Sequence, residues 1–435
     1  MKRLAGAFLA ATLLASPNMA NASGFRILET DNAGQGQAHA VSASVTDASA
    51  VYYNPAAMTE VPNYAAKAGV QFVDPANEYT ASSVEYTGQN RSEKSANTTF
   101  AVPHLYVVKN YNDKGLAVGL GMFSDFGLGS TWSNYSRFRY VATDTQVRTA
   151  TYNLNVAKKF GDMFSAAIGV DMMTTDARLD SMYPFYLFEP GAADGYRIVK
   201  GSGTGYGFNA AILVKPTNNV KVSLTYRSKV KTKVSGTAEI LHFPGTLGAL
   251  VGGTGKNYSS DADVDINFPD IAVLGIAWQA DEKLLVEADV DYTGWSSYDQ
   301  LAFTFAKPLV LSNGVAVLPS SATQKKDWKN TTSVRVGGSY KVTPAGIVRA
   351  GYYYDQSPVP DDTFDPRVPD NDRNAVTLGY GYKATDNFTI DASFAYIWTS
   401  TRTANNSVGA EVKSTVNGDY KSTSNIFGVS VGYEF

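Results

Sequence analysis

Apolar and polar residues alternate with a period of two along most of the chain, most plainly at its C-terminal end. Over 425–435, Phe427, Val429, Val431, Tyr433 and Phe435 share one face, while Gly428, Ser430, Gly432 and Glu434 share the other. Over 283–292, Leu284, Val286, Ala288, Val290 and Tyr292 stand opposite Leu285, Glu287, Asp289 and Asp291. Over 219–228, Val220, Val222, Leu224 and Tyr226 stand opposite Lys221, Ser223, Thr225 and Arg227. Period two over about nine to eleven residues is a strand long enough to cross a bilayer. A soluble sandwich would turn its apolar face inward. Here the second face is small and charged, which suits a barrel lumen and sends the apolar face to lipid.

About fourteen strands are predicted, beginning near Asn63, Thr99, Gly115, Thr151, Phe164, Gly205, Asn219, Ala262, Lys283, Thr331, Gly346, Asn374, Asn387 and Ser424. Short turns recur at 110–114, 161–162, 217–218, 281–282, 343–344 and 385–386. Between them lie long connections at 74–98, 125–150, 176–204, 307–330, 356–373 and 399–423. Alternation of short and long connections is the pattern of an up-and-down barrel, with periplasmic turns and extracellular loops. An even strand count puts both termini on the periplasmic side. The seventh and ninth strands look long enough to rise above the membrane. Tyr226, Tyr292, Trp295, Tyr352, Tyr354, Tyr396 and Trp398 fall towards strand ends, where aromatic girdles belong. The expected fold is therefore all-β, a 14-stranded antiparallel transmembrane β-barrel, at residues 63–435.

Residues 1–22 read as a cleaved signal peptide. Lys2 and Arg3 precede an apolar run from Leu4 to Ala15, and Ala20-Asn21-Ala22 is a small-residue cleavage site that leaves Ser23 first. Taking two basic residues from 37 leaves 35 against 40 acidic ones, a net charge of −5. That mild acidity excludes nucleic acid, whose phosphates need concentrated Lys and Arg. The chain has no cysteine, so thiol catalysis, thiolate metal sites and disulfides are all excluded. Its three histidines, His39, His104 and His242, lack metal-ligand spacing, and no cofactor is expected. Nor do they suggest a Ser/His/Asp constellation, so an enzyme is not expected. The apparent destination is the outer membrane of a Gram-negative bacterium. Outer-membrane lipid or lipopolysaccharide, and the barrel-assembly machinery that reads a terminal aromatic such as Phe435, are the expected partners of a monomer.

Residues 23–62 do not alternate. They are rich in Gly, Ala, Ser and Asn and contain the run Asn54-Pro55-Ala56-Ala57-Met58. A barrel of fourteen strands has a lumen wide enough for water. A compact stretch of small residues fits that lumen as an N-terminal hatch, or plug, better than it suits a loose tail. Pro55 lacks an N–H and holds Asn54 extended, so this motif fixes a turn or helix end.

Several of these runs resemble the FadL-type transporters of long-chain fatty acids, a family that also imports aromatic hydrocarbons. They are Ser23-Gly24-Phe25, Asn54-Pro55-Ala56, Leu224-Thr225-Tyr226-Arg227-Ser228, Tyr292-Thr293-Gly294-Trp295-Ser296, Asp355-Gln356-Ser357-Pro358-Val359-Pro360 and Val368-Pro369-Asp370. They occur in the family's order from the leader to Phe435. The resemblance implies a plugged fourteen-stranded barrel that works without energy coupling. Ligand is captured at extracellular loops, passes to a site inside the barrel, and leaves sideways where the third strand kinks once the hatch moves. The run from Gly121 to Leu128 matches that kink, with Ser124 at its centre and Asp125 where the family has asparagine. Gly24, Phe25, Asn54, Pro55, Ala56, Ser124 and Asp125 are the implied hatch and gating residues.

Two loops add chemistry to this outline. Met182, Tyr183, Phe185, Leu187 and Phe188 form an apolar cluster that an aqueous loop does not need, and such patches mark binding surfaces. Phe126, Leu128 and Trp132, with Tyr135, Phe138 and Tyr140, supply a second wall for a hydrophobic groove. A fatty acid also needs a cation for its carboxylate. The candidates are Arg178, Lys325, Lys326 and Lys329, near which the family's ligand cations map, together with Arg227 and Arg335 on the lumen face. A salt bridge to Glu287, Asp289 or Asp291 is the competing role for the last two. The expected function is uptake of hydrophobic small molecules, most naturally long-chain fatty acids. Import of aromatic or alkane hydrocarbons is the alternative, and a general porin or structural barrel is the alternative of another class.

Overall fold

A computed structural model describes residues 24–82 and 92–435; the leader lies outside the described residues. Fourteen antiparallel strands close a barrel. They are β1 (Tyr64–Ala81), β2 (Phe100–Tyr111), β3 (Leu116–Phe123 and Gly127–Thr131), β4 (Asp144–Phe160), β5 (Phe164–Tyr183), β6 (Gly195–Thr217) and β7 (Val220–Arg227 and Val230–Leu241). The second half comprises β8 (Tyr258–Phe268 and Ile271–Gln279), β9 (Leu284–Thr293 and Gln300–Phe305), β10 (Ser321–Lys325 and Thr331–Lys341), β11 (Gly346–Asp355), β12 (Arg373–Lys383), β13 (Phe388–Thr399) and β14 (Gly418–Glu434). The ring closes where β1 pairs with β14 from Ala65↔Glu434 to Ala81↔Gly418.

The alternation seen in the sequence is realised inside out. Phe427, Val429, Val431, Leu224, Val290, Ile168 and Leu378 are exposed on the outer surface. Asp171, Asn153, Ser223, Glu287, Asp289, Asp291 and Arg335 are buried towards the lumen. Only lipid rewards an outward apolar belt around a polar interior. Strands β4, β6 and β14 begin six to ten residues earlier than the alternation suggests, because above the membrane neither face needs to be apolar. The girdle residues Tyr226, Tyr292, Tyr352 and Tyr396 face outward, but Trp295 does not: it is fully buried. After Gly294 the strand gives way to a short 3-10 turn, Trp295–Ser297, which swings the indole into the lumen.

Residues 24–62 occupy that lumen. A short helix α1 (Asn32–Gly36) lies against β11, β12 and β13, while α2 (Ala50–Tyr53) and a 3-10 turn (Pro55–Glu60) lie against β2 to β6. Gly36 approaches Gly379 of β12 so closely that a Cβ on either would come within 2.8 Å of the other's backbone. Small residues are what allow a plug to seat against a strand at this distance. Lys67 on β1 anchors the segment by ion pairs to Asp31 at 2.6 Å and Asp47 at 2.7 Å, with Asp391 on β13 at 3.6 Å. Removing one member of such a buried cluster typically costs about 3–5 kcal/mol.

Candidate functional site

Asn54 shows how the sequence sets the plug. Its side-chain oxygen accepts from the Ala56 N–H at 3.0 Å, and its amide donates to the Ser42 carbonyl at 2.9 Å, so Pro55 opens the 3-10 turn below a side-chain cap. At the other end of the segment, residues 25–27 lie along the break in β3. Ile27 N–H donates to the Asp125 carbonyl at 3.0 Å, and Gly127 N–H donates to the Phe25 carbonyl at 2.8 Å. Ser124 is tied to β4 through the Thr149 carbonyl at 2.6 Å. The Asp125 carboxylate accepts from Thr151 at 3.0 Å and lies 3.8 Å from Arg227.

That break leaves a seam in the wall. The β2–β3 ladder ends at Leu105↔Met122, and among the described residues the upper piece of β3 has a strand ladder with β4 alone. Among the described residues, Phe100–His104 therefore has ladder partners on the β1 side only. The plug's N-terminal stretch is what holds the inner side of the kink.

Above this point the lumen turns apolar. Phe25 sits at the centre of an aromatic cluster, with ring centroids 4.7 Å from Trp295, 5.0 Å from Tyr298, 5.4 Å from Trp328 and 6.1 Å from Phe126. Gly24 has φ +64°, and a Cβ there would meet Trp328 at 2.5 Å, so glycine is required on both counts. Over the cluster lies a narrow inner cavity, walled by Leu128, Val147, Val199, Val234, Val264 and Leu301 among others. Its inward charges are Lys326, Asp365 and Arg367; the other charged lining residues, Lys200 and Asp263, are paired on the outer surface with Glu239 and Lys233. Lys326 Nζ lies 2.7 Å from Asp365, and Arg367 lies 3.7 Å from the same oxygen while also donating to the Val141 carbonyl. Burial pushes the Asp365 carboxyl up, but Lys326 and Arg367 pull it further down, below the usual carboxylate range. Asp365 is thus an ionised counter-ion, and two cations facing one anion leave the cavity with a single positive excess.

A wider outer groove opens above, bordered by Met182, Tyr183, Leu187 and Phe188 on one side and Val317, Leu318 and Pro319 on the other. Four of the five apolar residues singled out after β5 line it. The fifth, Phe185, is buried against Phe243 with centroids 4.8 Å apart and supports the loop from beneath. The second wall is mainly the 316–319 stretch, and of the 126–140 loop Tyr140 reaches the groove. Leu128 belongs to the inner cavity, Phe126 to the aromatic cluster, and Trp132 packs on Phe138 while donating to the Pro366 carbonyl at 2.9 Å.

Of the candidate cations, Lys326 alone faces the inner cavity. Arg178 is on the opposite face of β5 from the cavity-lining Ala177 and Leu179, paired with Asp180 at 2.7 Å. Lys325 is exposed and paired with Asp327, and Lys329 is exposed. Arg227 binds Asp171 at 2.6 Å, and Arg335 binds Asp291 at 2.9 Å in a network that takes in the plug's Arg26 at 2.8 Å. These two hold the plug's surroundings together. Arg367, Asp365 and Arg26 were missed, because they sit in stretches with no periodicity to orient them. The run Gly428-Val429-Ser430-Val431-Gly432 has nucleophile-elbow spacing but forms regular β14, and neither the Ser430 hydroxyl nor the His104 ring nitrogens have a hydrogen-bond partner among the described residues.

One contact ties the plug to an extracellular loop: Asp370 accepts from Gly24 N–H at 2.9 Å and from the Ser357 hydroxyl at 2.7 Å. Burial raises its carboxyl from 3.8 to about 6. The folded state therefore holds this proton more tightly than the unfolded chain does. The resulting stability is complete below about pH 4 and lost as pH rises through 6, up to about 3 kcal/mol. Asp370→Asn should flatten that part of the pH dependence of the urea-unfolding midpoint in lipid vesicles. An unchanged slope would show that Asp370 does not titrate in this window.

A closed membrane barrel, filled at its waist and apolar above, is an outer-membrane transport barrel for hydrophobic molecules. The chain belongs to the family of outer membrane protein transport proteins described as OMPP1/FadL/TodX, whose model matches residues 13–435. It is 28% identical to an outer membrane protein of Neisseria meningitidis serogroup B, over 95% of both chains. It is 25% identical to the long-chain fatty acid transport protein of Escherichia coli O6:H1, over 86% of both. The crystal structure of a Pseudomonas aeruginosa FadL homologue superposes with a TM-score of 0.81 at 25% identity, covering 95% of this chain and all of the other. The family consists of transport channels.

Proposed function

We propose that this chain imports monocarboxylates with long apolar tails, fatty acids above all, by loop capture, binding inside the barrel and lateral release. The observation that carries this reading is the inner cavity's surplus cation. Each buried methylene contributes about 0.8 kcal/mol, so the apolar walls alone would hold an alkyl chain of any kind. A neutral hydrocarbon leaves the positive excess of Lys326 and Arg367 over Asp365 uncompensated, whereas one carboxylate cancels it. Movement of residues 24–27 then frees both the aromatic cluster and the inner side of the β3 break, which opens a path to the bilayer.

Trp328 lines the cavity and Trp295 meets it edge to face from behind, so occupancy is readable by fluorescence. In lipid vesicles, a terminally brominated medium-chain fatty acid should quench tryptophan emission saturably, and Trp328→Phe should lose most of that component. Toluene should compete poorly. Quenching that never saturates, or that toluene displaces as well as oleate does, would overturn the reading.

A further inference from the structure

Arg197, on β6, points into the outer groove with Tyr183, Ile240, Phe303 and Leu318 around it. Among the described residues it has neither an ion pair nor a hydrogen bond. Glu411 is the one acid lining the groove; its field reaches Arg197, but among the described residues it forms no ion pair with either arginine. A half-buried guanidinium in an apolar wall has lost part of its water shell with no protein partner in exchange, and its donors stay open to whatever enters the groove. Five fixed N–H donors suit a planar carboxylate.

A second observation gives this residue a direction. Leu179, Val199, Phe303 and Arg367 line the outer groove and the inner cavity alike, so the two spaces share a wall. Arg367 thus borders both, and within the inner cavity it neighbours Lys326 through Asp365. The cations run in order from the groove to the plug: Arg197, Arg367, Lys326.

We propose that Arg197 is an anion receptor in the capture groove, the first rung of a ladder that passes a carboxylate by way of Arg367 to Lys326. The inference rests on the fatty-acid reading above and adds that head-group selection begins at capture. Each rung offers charge before the last is left, so the carboxylate never crosses an apolar stretch alone. Asp365 sets the grip of the lower two rungs by occupying part of their charge.

The test is stopped-flow quenching of tryptophan by the brominated acid and by its methyl ester, in vesicles at low ionic strength. Wild type should take up the acid faster than the ester. Arg197→Gln should slow the acid roughly tenfold, within the range of electrostatic steering, and leave the ester's rate and the saturating quench unchanged. Arg197→Lys should restore most of the rate, and heat-modifiable migration should show all variants folded. Equal slowing of acid and ester would make Arg197 a packing residue and overturn the ladder. So would equal rates for the two ligands in wild type, with uptake itself intact. No saturable quenching by either ligand in wild type would overturn the function proposed above and the ladder with it.

Discussion

Replacing Lys326 with Gln should abolish the preference of the purified barrel for a fatty acid over its methyl ester. The expected loss is about 1.5–3 kcal/mol for the acid, the range for hydrogen bonds to charged groups, or roughly 10- to 150-fold in Kd. The ester makes no such bond and should hold its affinity. Asp365 sharpens the comparison. In Lys326→Gln its carboxylate stays behind and repels the ligand's, so the single variant overstates the clamp. In Lys326→Gln/Asp365→Asn the cavity keeps one arginine and no acid, so recovery of acid binding there would measure that repulsion. Asp365→Asn alone frees Lys326 and should tighten the acid above wild type. Equal binding of acid and ester by wild type would sink the carboxylate clamp and shift the reading to aromatic or alkane hydrocarbons.

Deleting residues 24–60 should convert the barrel into an open pore. The segment fills a lumen whose walls are otherwise lined by Asp171, Glu287, Asp289, Asp291, Arg335 and Asp391, all polar and all ready to be wetted. Planar-bilayer conductance should rise by an order of magnitude or more from a nearly closed wild type. Since the deletion strips many hydrogen bonds from the wall, Lys67→Met provides a milder version. It leaves Asp31 and Asp47 facing one another without their cation, Asp391 keeping Arg349, and should give brief openings. A silent deletion variant that still shows heat-modifiable migration would mean that another part of the chain seals the lumen.

The barrel was legible because a membrane strand writes its two environments into alternate residues. Val429 and Ser430 can be assigned to lipid and lumen without knowing anything else. The same rule put Arg227 and Arg335 on the inner face, where they are, and offered Asp291 among three possible partners, but gave no hint of Asp171, which meets Arg227 from two strands away. Alternation gives a side and not a partner. The site itself was less legible. Lys326 was named because it lies where a long loop meets the barrel, yet its neighbours Lys325 and Lys329 had the same claim. What separates them is the left-handed turn at Asp327, φ 52°, and the fold of 356–372 over Lys326. Trp295 was misplaced because a strand-end aromatic has two destinations, girdle or lumen, and the choice depends on a local break in the strand. Arg197 and Arg367 carry no periodic signal, and only the packed loops bring them to one groove.

The first residues of the segment in the lumen are held by the last parts of the chain to be made. Gly24 is bonded to Asp370, 346 positions away, and Gln35 to the Ile426 carbonyl, 391 positions away. Contacts of such separation come late, because the loop they close must be paid for before any of them forms. The stretch that leaves the export machinery first must therefore stay uncommitted until β12 to β14 are in place and the β1–β14 seam has shut. Its low content of large apolar residues suits that wait, since a chain that cannot collapse on its own does not trap the unfinished ring around it.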